Sequence, residues 1–301
     1  MSKLISMTAA MTCLAITASA GNDTPHWSLT WKKMQTTGPE LELIGTLPTR
    51  TTHELGASDW SVGCETLDRD YADFDSYKPY LSELGVTSAR IQSGWARCEK
   101  QKGRYDFAWI DHIVDGMLEE GVQPWINLGY GNPLYGAEKG LGSKIFTDEP
   151  TMKAWLKFVE TIVARYQDKV HEWEIWNEPD LGPKMWTGTL EAFNDFYATA
   201  ARELKKRFPH LKFGGPGHCA FGEEKVKAFA ENCAKHGAPL DFYSFHYYSP
   251  SDTELLQMAL DARRWLDESG FPDTEIHLNE WHYNPYGGAL WGMGPVEQNE
   301  A

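Results

Sequence analysis

The 301-residue sequence is short of the features that mark several large functional classes. Basic residues are scarce: 28 Lys and Arg stand against 43 Asp and Glu, for a net charge of −15. Nucleic-acid binders neutralise phosphates with clustered cations, so no nucleic-acid partner is expected. No run approaches the roughly 18 uninterrupted apolar residues of a membrane-spanning helix, so no membrane partner is expected. Internal repeats, low-complexity tracts and Gly/Ser linkers are also missing. Residues 59–301 are therefore read as one domain, although length alone admits two. There are five cysteines and no Cys-x-x-Cys or metal-finger spacing, which argues against a redox motif. His277 and His282 form no His-x-x-x-His pair, so neither a metal nor another cofactor is expected. Nothing in the sequence speaks to oligomeric state.

What is present begins with a leader-like stretch. Residues 1–20 combine Lys3, an apolar run over 4–16 and the ending Ala18-Ser19-Ala20, the layout of a secretory signal with a small-residue cleavage site. An exported protein, periplasmic or extracellular and cleaved near Ala20, is expected. Cys13 would leave with the leader, and Cys64, Cys98, Cys219 and Cys233 would remain. That even number permits disulfides outside the cytosol, with buried thiols or a single bridge favoured. Residues 21–58 read as an irregular segment packed on the main domain, with one strand expected over 40–45.

From residue 59 an alternation sets in. Strands are expected over 60–64, 88–91, 123–128, 171–178, 212–215, 241–246 and 275–280. Helices are expected between them over 74–84, 107–120, 148–166, 190–208, 223–236 and 253–268. Gly85, Gly121, Gly237 and Gly270 supply stops, and Asp148 with Pro150 supplies a start. Such alternation is the signature of βαβ units on a parallel sheet. Seven strands in series point to an α/β fold, a (β/α)8 TIM barrel. After Glu280 only a Gly-, Pro- and Trp-rich stretch and a short helical start at 294–297 follow, too little for another βα unit. The barrel is therefore expected to be truncated after strand seven, with an open seam.

Two strand ends carry the chemistry. His-Glu-Trp-Glu-Ile-Trp-Asn-Glu-Pro-Asp at 171–180 stops at Pro179, delivering Glu178 beside Asn177 to the end of strand four. Ile-His-Leu-Asn-Glu-Trp at 276–281 ends strand seven on Glu280. With strand alternation Glu174, Trp176 and Glu178 share a face, as do Ile276, Leu278 and Glu280, unless a bulge changes the register. In a barrel, C-terminal strand ends build the active site, and two carboxyls there fit glycoside hydrolysis. A solvated acid before a proline is the plainer reading of Glu178 alone. A third Asn-Glu, at Asn299-Glu300, lies in no strand context.

Trp-Asn-Glu-Pro at 176–179, the glutamate ending strand seven and His-Tyr-Tyr at 246–248 together resemble the clan A retaining glycoside hydrolases. The similarity also includes Gly94-Trp95, Gly103-Arg104-Tyr105-Asp106 and Tyr130-Gly131-Asn132-Pro133, and it looks most like family 39, which includes β-xylosidases and α-L-iduronidases. The resemblance implies an O-glycosidase with Glu178 as acid/base, Glu280 as nucleophile and Asn177 bonding the sugar 2-hydroxyl. It implies that Arg90 keeps Glu280 ionised, and that Glu280's charge keeps Glu178 protonated. His246, Tyr248, Asn132, Trp95 and Trp281 are further candidates for contact with an oligosaccharide or polysaccharide substrate. Each also has a structural reading, as an ion pair, a packed aromatic or an ordinary Asn-Pro turn. An exo-acting, β-xylosidase-like enzyme is the expected function. The alternatives are an endo-acting glycanase of the same clan, or a non-catalytic carbohydrate-binding or remnant barrel. The chain departs from the clan in lacking the tryptophan of strand eight, and from family 39 xylosidases in having Asn279 where Thr precedes the nucleophile.

Overall fold

Residues 6–9, 50–56, 58–137, 148–249 and 251–281 are described by the computed structural model. The strands are β1 (Ser6–Ala9), β2 (Trp60–Gly63), β3 (Ser88–Gln92), β4 (Gln123–Asn127), β5 (Glu172–Glu174), β6 (Lys212–His218), β7 (Phe242–His246) and β8 (Glu275–Glu280). From β2 to β8 each strand pairs in parallel with the next, so the seven expected strands form a nearly closed barrel. By themselves these seven leave a seam between β2 and β8. The short β1 lies across it, pairing in parallel with β2 on one side and β8 on the other. Four residues of the stretch that reads as a leader thus lie along the seam that the seven strands leave.

The helices are α1 (Thr52–Leu55), α2 (Phe74–Leu81), α3 (Trp95–Cys98), α4 (Ala108–Glu119), α5 (Glu149–Tyr166), α6 (Leu190–Arg207), α7 (Glu223–His236) and α8 (Asp252–Glu268). Their starts follow from capping. Asp148 and Thr189 accept from the backbone N–H of Thr151 and Ala192, satisfying donors that the first helical turn leaves open. Each long helix buries one apolar stripe against the strands: Trp155, Phe158, Val159 and Ile162 on α5, Phe193, Tyr197 and Leu204 on α6. Ahead of β2, Thr52 anchors α1 by donating its hydroxyl to Val86 O at 2.7 Å. Among the described residues no helix is long and apolar enough to cross a membrane.

Two local departures set the site. The fourth strand of the series, β5, is three residues long rather than the eight expected, because Trp176 (φ 71°) and Glu178 (φ 50°) adopt left-handed backbone. Strict alternation from Glu174 to Glu178 is thereby broken. At β8, Phe245 pairs with Leu278 and His246 pairs next with Glu280, so Asn279 is an extra, bulged residue. The bulge turns both Asn279 and Glu280 to the barrel interior, where alternation would have sent only one.

Cys64, Cys98, Cys219 and Cys233 form no disulfide. Burial pushes the Cys98 and Cys219 thiols up to about 12, which makes them poor nucleophiles. Expected features at 21–49 and 282–301, including a strand over 40–45 and a helical start at 294–297, lie outside the described residues.

Candidate active site

Arg90 is the hub of the barrel mouth. It is fully buried on β3, and all of its nitrogens are committed. Its Nε and Nη2 donate to Glu174 Oε2 at 2.8 and 2.6 Å, and Nη2 also donates to Asn177 Oδ1 at 2.6 Å. Nη1 donates to Glu280 Oε1 at 2.8 Å and to Glu65 Oε1. A buried guanidinium is tolerated only where carboxylates surround it, and those carboxylates in turn hold its proton more tightly.

Glu174 is the structural counter-ion. Both partners are completely buried, and Glu174 also accepts from Asn127 Nδ2 at 2.9 Å, Ser244 Oγ at 2.6 Å and Asn279 Nδ2 at 2.8 Å. Four strands, β3, β4, β7 and β8, thus meet β5 at one carboxylate. That network uses Asn279 as a support and leaves Glu280, one residue on, at the surface of the mouth.

Glu280 is held at both oxygens: Arg90 Nη1 on Oε1, and the Tyr248 hydroxyl donating to Oε2 at 2.8 Å. Burial pushes its carboxyl up, but the charges of His246 and Arg90 and the Tyr248 hydrogen bond outweigh this, so it lies below the ordinary carboxylate range. His246 sits between the two glutamates. Its Nδ1 is 3.0 Å from Glu178 Oε1 and its Nε2 is 3.3 Å from Glu280 Oε1. Burial pushes the imidazole down, but the charge of Glu280 and the hydrogen bond with Glu178 outweigh it and raise it above the usual histidine value. The like-charge repulsion expected between the glutamates is therefore mediated by a ring that favours its cationic form.

Glu178 reaches the mouth because its left-handed backbone lets its N–H donate to Gly217 O at 2.9 Å. Gly217 is required: a Cβ there would stand 3.0 Å from Asn177 Oδ1 and 3.3 Å from His246 Nε2, with φ at +63°. One ligand-type atom each of Glu178, His246 and Glu280 lies within 4.8 Å of the others, so the two carboxylates face each other at close range. This is the metal-like grouping found among the described residues. Arg90 occupying the same Glu280 oxygen and the raised imidazole both favour protons over a cation there.

Arg90, Asn177, Glu178, His246, Tyr248 and Glu280 are thus brought together. Two other candidates are not. Trp95 is completely buried, stacked between Tyr135 and Phe158 with its indole N–H donated to Glu99, so it offers no ring face to a sugar. Asn132 is buried and spends its amide on the carbonyls of Trp95 and Glu99 and on the N–H of Leu134, the work of a turn residue. Trp281, directly after Glu280, is half-buried, with its ring 6.3 Å from the exposed Trp60. Glu65, Asn127, Glu174, Ser244 and Gly217 escaped the sequence reading as site residues. For Asn127 a signal existed, since it ends its strand as Asn177 and Asn279 do near theirs. Glu65 carried none.

A cavity of about 590 Å³ opens at the opposite, N-terminal end of the barrel, lined by Asp59, Lys212, Glu172, Glu275 and His277 among others. Lys212 there already bridges Glu172 and Glu275. Chemistry in such barrels is performed at the other end, where Glu178 and Glu280 stand.

Residues 80–268 match the protein family described as Glycosyl hydrolases family 39, a range that includes Glu178 and ends short of Glu280. A β-xylosidase of Geobacillus stearothermophilus is 27% identical over 222 residues, covering 62% of this chain and 43% of that protein. A β-xylosidase of Caldicellulosiruptor saccharolyticus is 32% identical over 210 residues, covering 60% and 41%. The chain therefore spans less than half the length of these curated relatives. Among solved structures, a GH39 enzyme from Xanthomonas axonopodis pv. citri superposes with a TM-score of 0.61 at 24% identity, over 75% of this chain and 51% of that one, a likeness of fold.

Proposed function

This chain belongs to the glycosyl hydrolases of family 39, and from that membership we propose that it hydrolyses O-glycosidic bonds by double displacement, with retention at the anomeric carbon. The observation that carries the reading is the facing pair Glu178 and Glu280, with oxygens inside 4.8 Å. Retaining enzymes keep the two carboxyls about 5–5.5 Å apart, whereas inverting ones leave room for a water at about 6.5–9.5 Å.

In the first step a Glu280 oxygen attacks the anomeric carbon while Glu178 gives its proton to the departing glycosidic oxygen. Arg90 and Tyr248 hold Glu280 ionised and aimed; their hydrogen bonds are strongest before its charge is consumed. In the second step Glu178 takes a proton from water, which attacks the same carbon and releases Glu280. Asn177, whose Oδ1 is pinned by Arg90 Nη2, has its Nδ2 left to donate to a sugar hydroxyl. Trp281 offers the apolar face of the sugar a ring.

Terminal release of single sugars from xylosides is the first activity to assay, because two relatives are named β-xylosidases. An activated 2-deoxy-2-fluoro glycoside should leave a sugar on the peptide that contains Glu280, and Glu280→Ala should abolish hydrolysis of aryl glycosides. Undiminished hydrolysis by Glu280→Ala would sink the mechanism; long products from polymer would replace exo with endo action. Export is likewise a proposal, supported by residues 1–20. Cleavage near Ala20 would withdraw β1 from the seam, and the N-terminus of protein recovered outside the cytoplasm would decide it.

A further inference from the structure

Glu65 is a carboxylate at the mouth that the mechanism above does not use. Glu65 follows β2 and is fixed rather than loose: Cys64 N–H donates to Arg90 O at 2.8 Å, and Thr66 N–H donates to the Gln92 side chain at 2.9 Å. Its side chain is 22% exposed and accepts from Arg90 Nη1. The same nitrogen is the one Arg90 gives to Glu280. Nε and Nη2 are taken by Glu174 and Asn177, so Nη1 alone serves the reacting carboxylate, and it serves two masters.

The charges around Glu65 are Arg90 from β3, Glu280 from β8, His246 from β7 and, just beyond β7, the Tyr248 phenol. Behind it lies an apolar cavity of about 240 Å³, lined by Val62, Ala72, Leu81 and Leu84 among others, which supplies no cation. Two carboxylates on one buried nitrogen, each taking one of its two N–H bonds, cannot both ionise at low cost, because they repel each other. Glu280 has the Tyr248 hydroxyl on its other oxygen and His246 beside it, so it takes the charge and Glu65 keeps the proton. Burial first, and the Glu280 charge second, push Glu65 up to about 7.

We propose that Glu65 is a positioning residue for glycosyl transfer, acting through Arg90: protonated, it leaves the guanidinium charge to Glu280, and ionised, it shares that charge and weakens the hold of Nη1 on Glu280. The inference rests on Glu280 being the nucleophile. During the first step Glu280 loses its negative charge to the new bond. Glu65 then has Nη1 to itself, releases its proton to solvent, and keeps the buried guanidinium paired until the sugar leaves.

The test uses a 2,4-dinitrophenyl β-xyloside, whose leaving group needs no proton, so that Glu178 does not shape the alkaline limb. In the wild type kcat/KM, which reports the free enzyme through the first step, should fall about 10-fold per pH unit above about 7. Glu65→Gln should lose that limb and Glu65→Asp should restore it. A limb that persists in Glu65→Gln belongs to His246 or another group and overturns the proposal. Should Glu65→Gln fail to fold, carboxyl NMR of the wild type and of Glu280→Gln gives the same decision. The Glu65 titration should drop from about 7 toward the usual carboxylate range in Glu280→Gln, and an unmoved titration overturns the proposal. A wild type that turns over no aryl glycoside would instead overturn the glycosidase reading, and the NMR comparison would still decide whether Glu65 and Glu280 share a proton.

Discussion

Arg90 Nη2 and Glu174 Oε2 stand 2.6 Å apart with both side chains wholly removed from solvent. Neither residue needs to touch a substrate for this pair to matter. Glu174 spends both oxygens on Arg90, Asn127, Ser244 and Asn279, so it fixes the guanidinium that orients Glu280 and Asn177. Removing one partner of a buried pair strands the other charge and costs about 3–5 kcal/mol. Arg90→Met should lose that much in urea unfolding, and the double change Arg90→Met with Glu174→Met should recover most of it. A single variant within about 1 kcal/mol of wild type would show that the pair is not the keystone of the mouth.

Glu178 and Glu280 should separate by leaving group. Glu178→Gln removes general acid catalysis, worth ~100- to 10,000-fold, so hydrolysis of xylosides with poor leaving groups should fall by that factor. Dinitrophenyl xylosides, which leave unaided, should react in the first step almost as before. Equal losses on both substrates, measured by burst kinetics, would remove Glu178 from the acid role.

Trp95 and Trp281 should behave oppositely. Trp95 is stacked in the core, and truncating a buried tryptophan costs about 3–5 kcal/mol, so Trp95→Ala should lower thermal stability sharply. Trp281→Ala should leave the melting temperature nearly in place and raise KM for xylosides. A stable Trp95→Ala with a raised KM would reverse the assignment of the two rings.

Between about pH 4 and 7 two buried groups should move stability in opposite directions. Burial holds His218, against Tyr243, down to about 4, so the folded state binds fewer protons than the unfolded state below pH 6.5. That contribution, roughly 3 kcal/mol, is complete above 6.5 and is lost as pH falls toward 4. Asp180, whose burial is outweighed by His218, Lys225 and the Cys219 N–H, is held at about 2 and loses its share between the ordinary aspartate range and pH 2. Glu65 acts in the other direction: the folded state keeps its proton up to about 7, so its contribution declines as pH rises from the ordinary glutamate range through 7. Urea midpoints from pH 3 to 8 check this: His218→Gln should remove the loss that sets in as pH falls from 6.5 to 4 and leave the opposite Glu65 trend, a gain in stability as pH falls from 7.

Much of the frame was legible in residue order. The glycine stops and the Asp148 and Thr189 caps act within a few residues of themselves, so the helices they bound emerge near the expected positions. The apolar strands from Trp60 to Glu280 likewise emerge as one parallel series. The length of β5 was not legible, because Trp176 and Glu178 take left-handed backbone for the sake of partners elsewhere: Met185 O for the indole of Trp176, Gly217 O for the N–H of Glu178. Nor was the bulge at Asn279, which exists because Glu174, 105 residues away in the chain, accepts its amide. Trp95 and Asn132 were misplaced for a related reason. A motif names residue types near a site, and burial decides which of them face it.

By itself the sequence determined a parallel α/β barrel and two acids delivered to strand ends, since hydrophobic period, capping and chain punctuation are local properties. Only the tertiary structure decided what surrounds those acids. Closing the ring brings Arg90, Glu174, His246 and Tyr248 from separate parts of the chain to one mouth, and it sets Glu65, unmarked by any motif, on the same Arg90 nitrogen as Glu280. Charge interactions fall with distance through space and take no account of separation along the chain, so the protonation of Glu280 is written in the closed barrel alone.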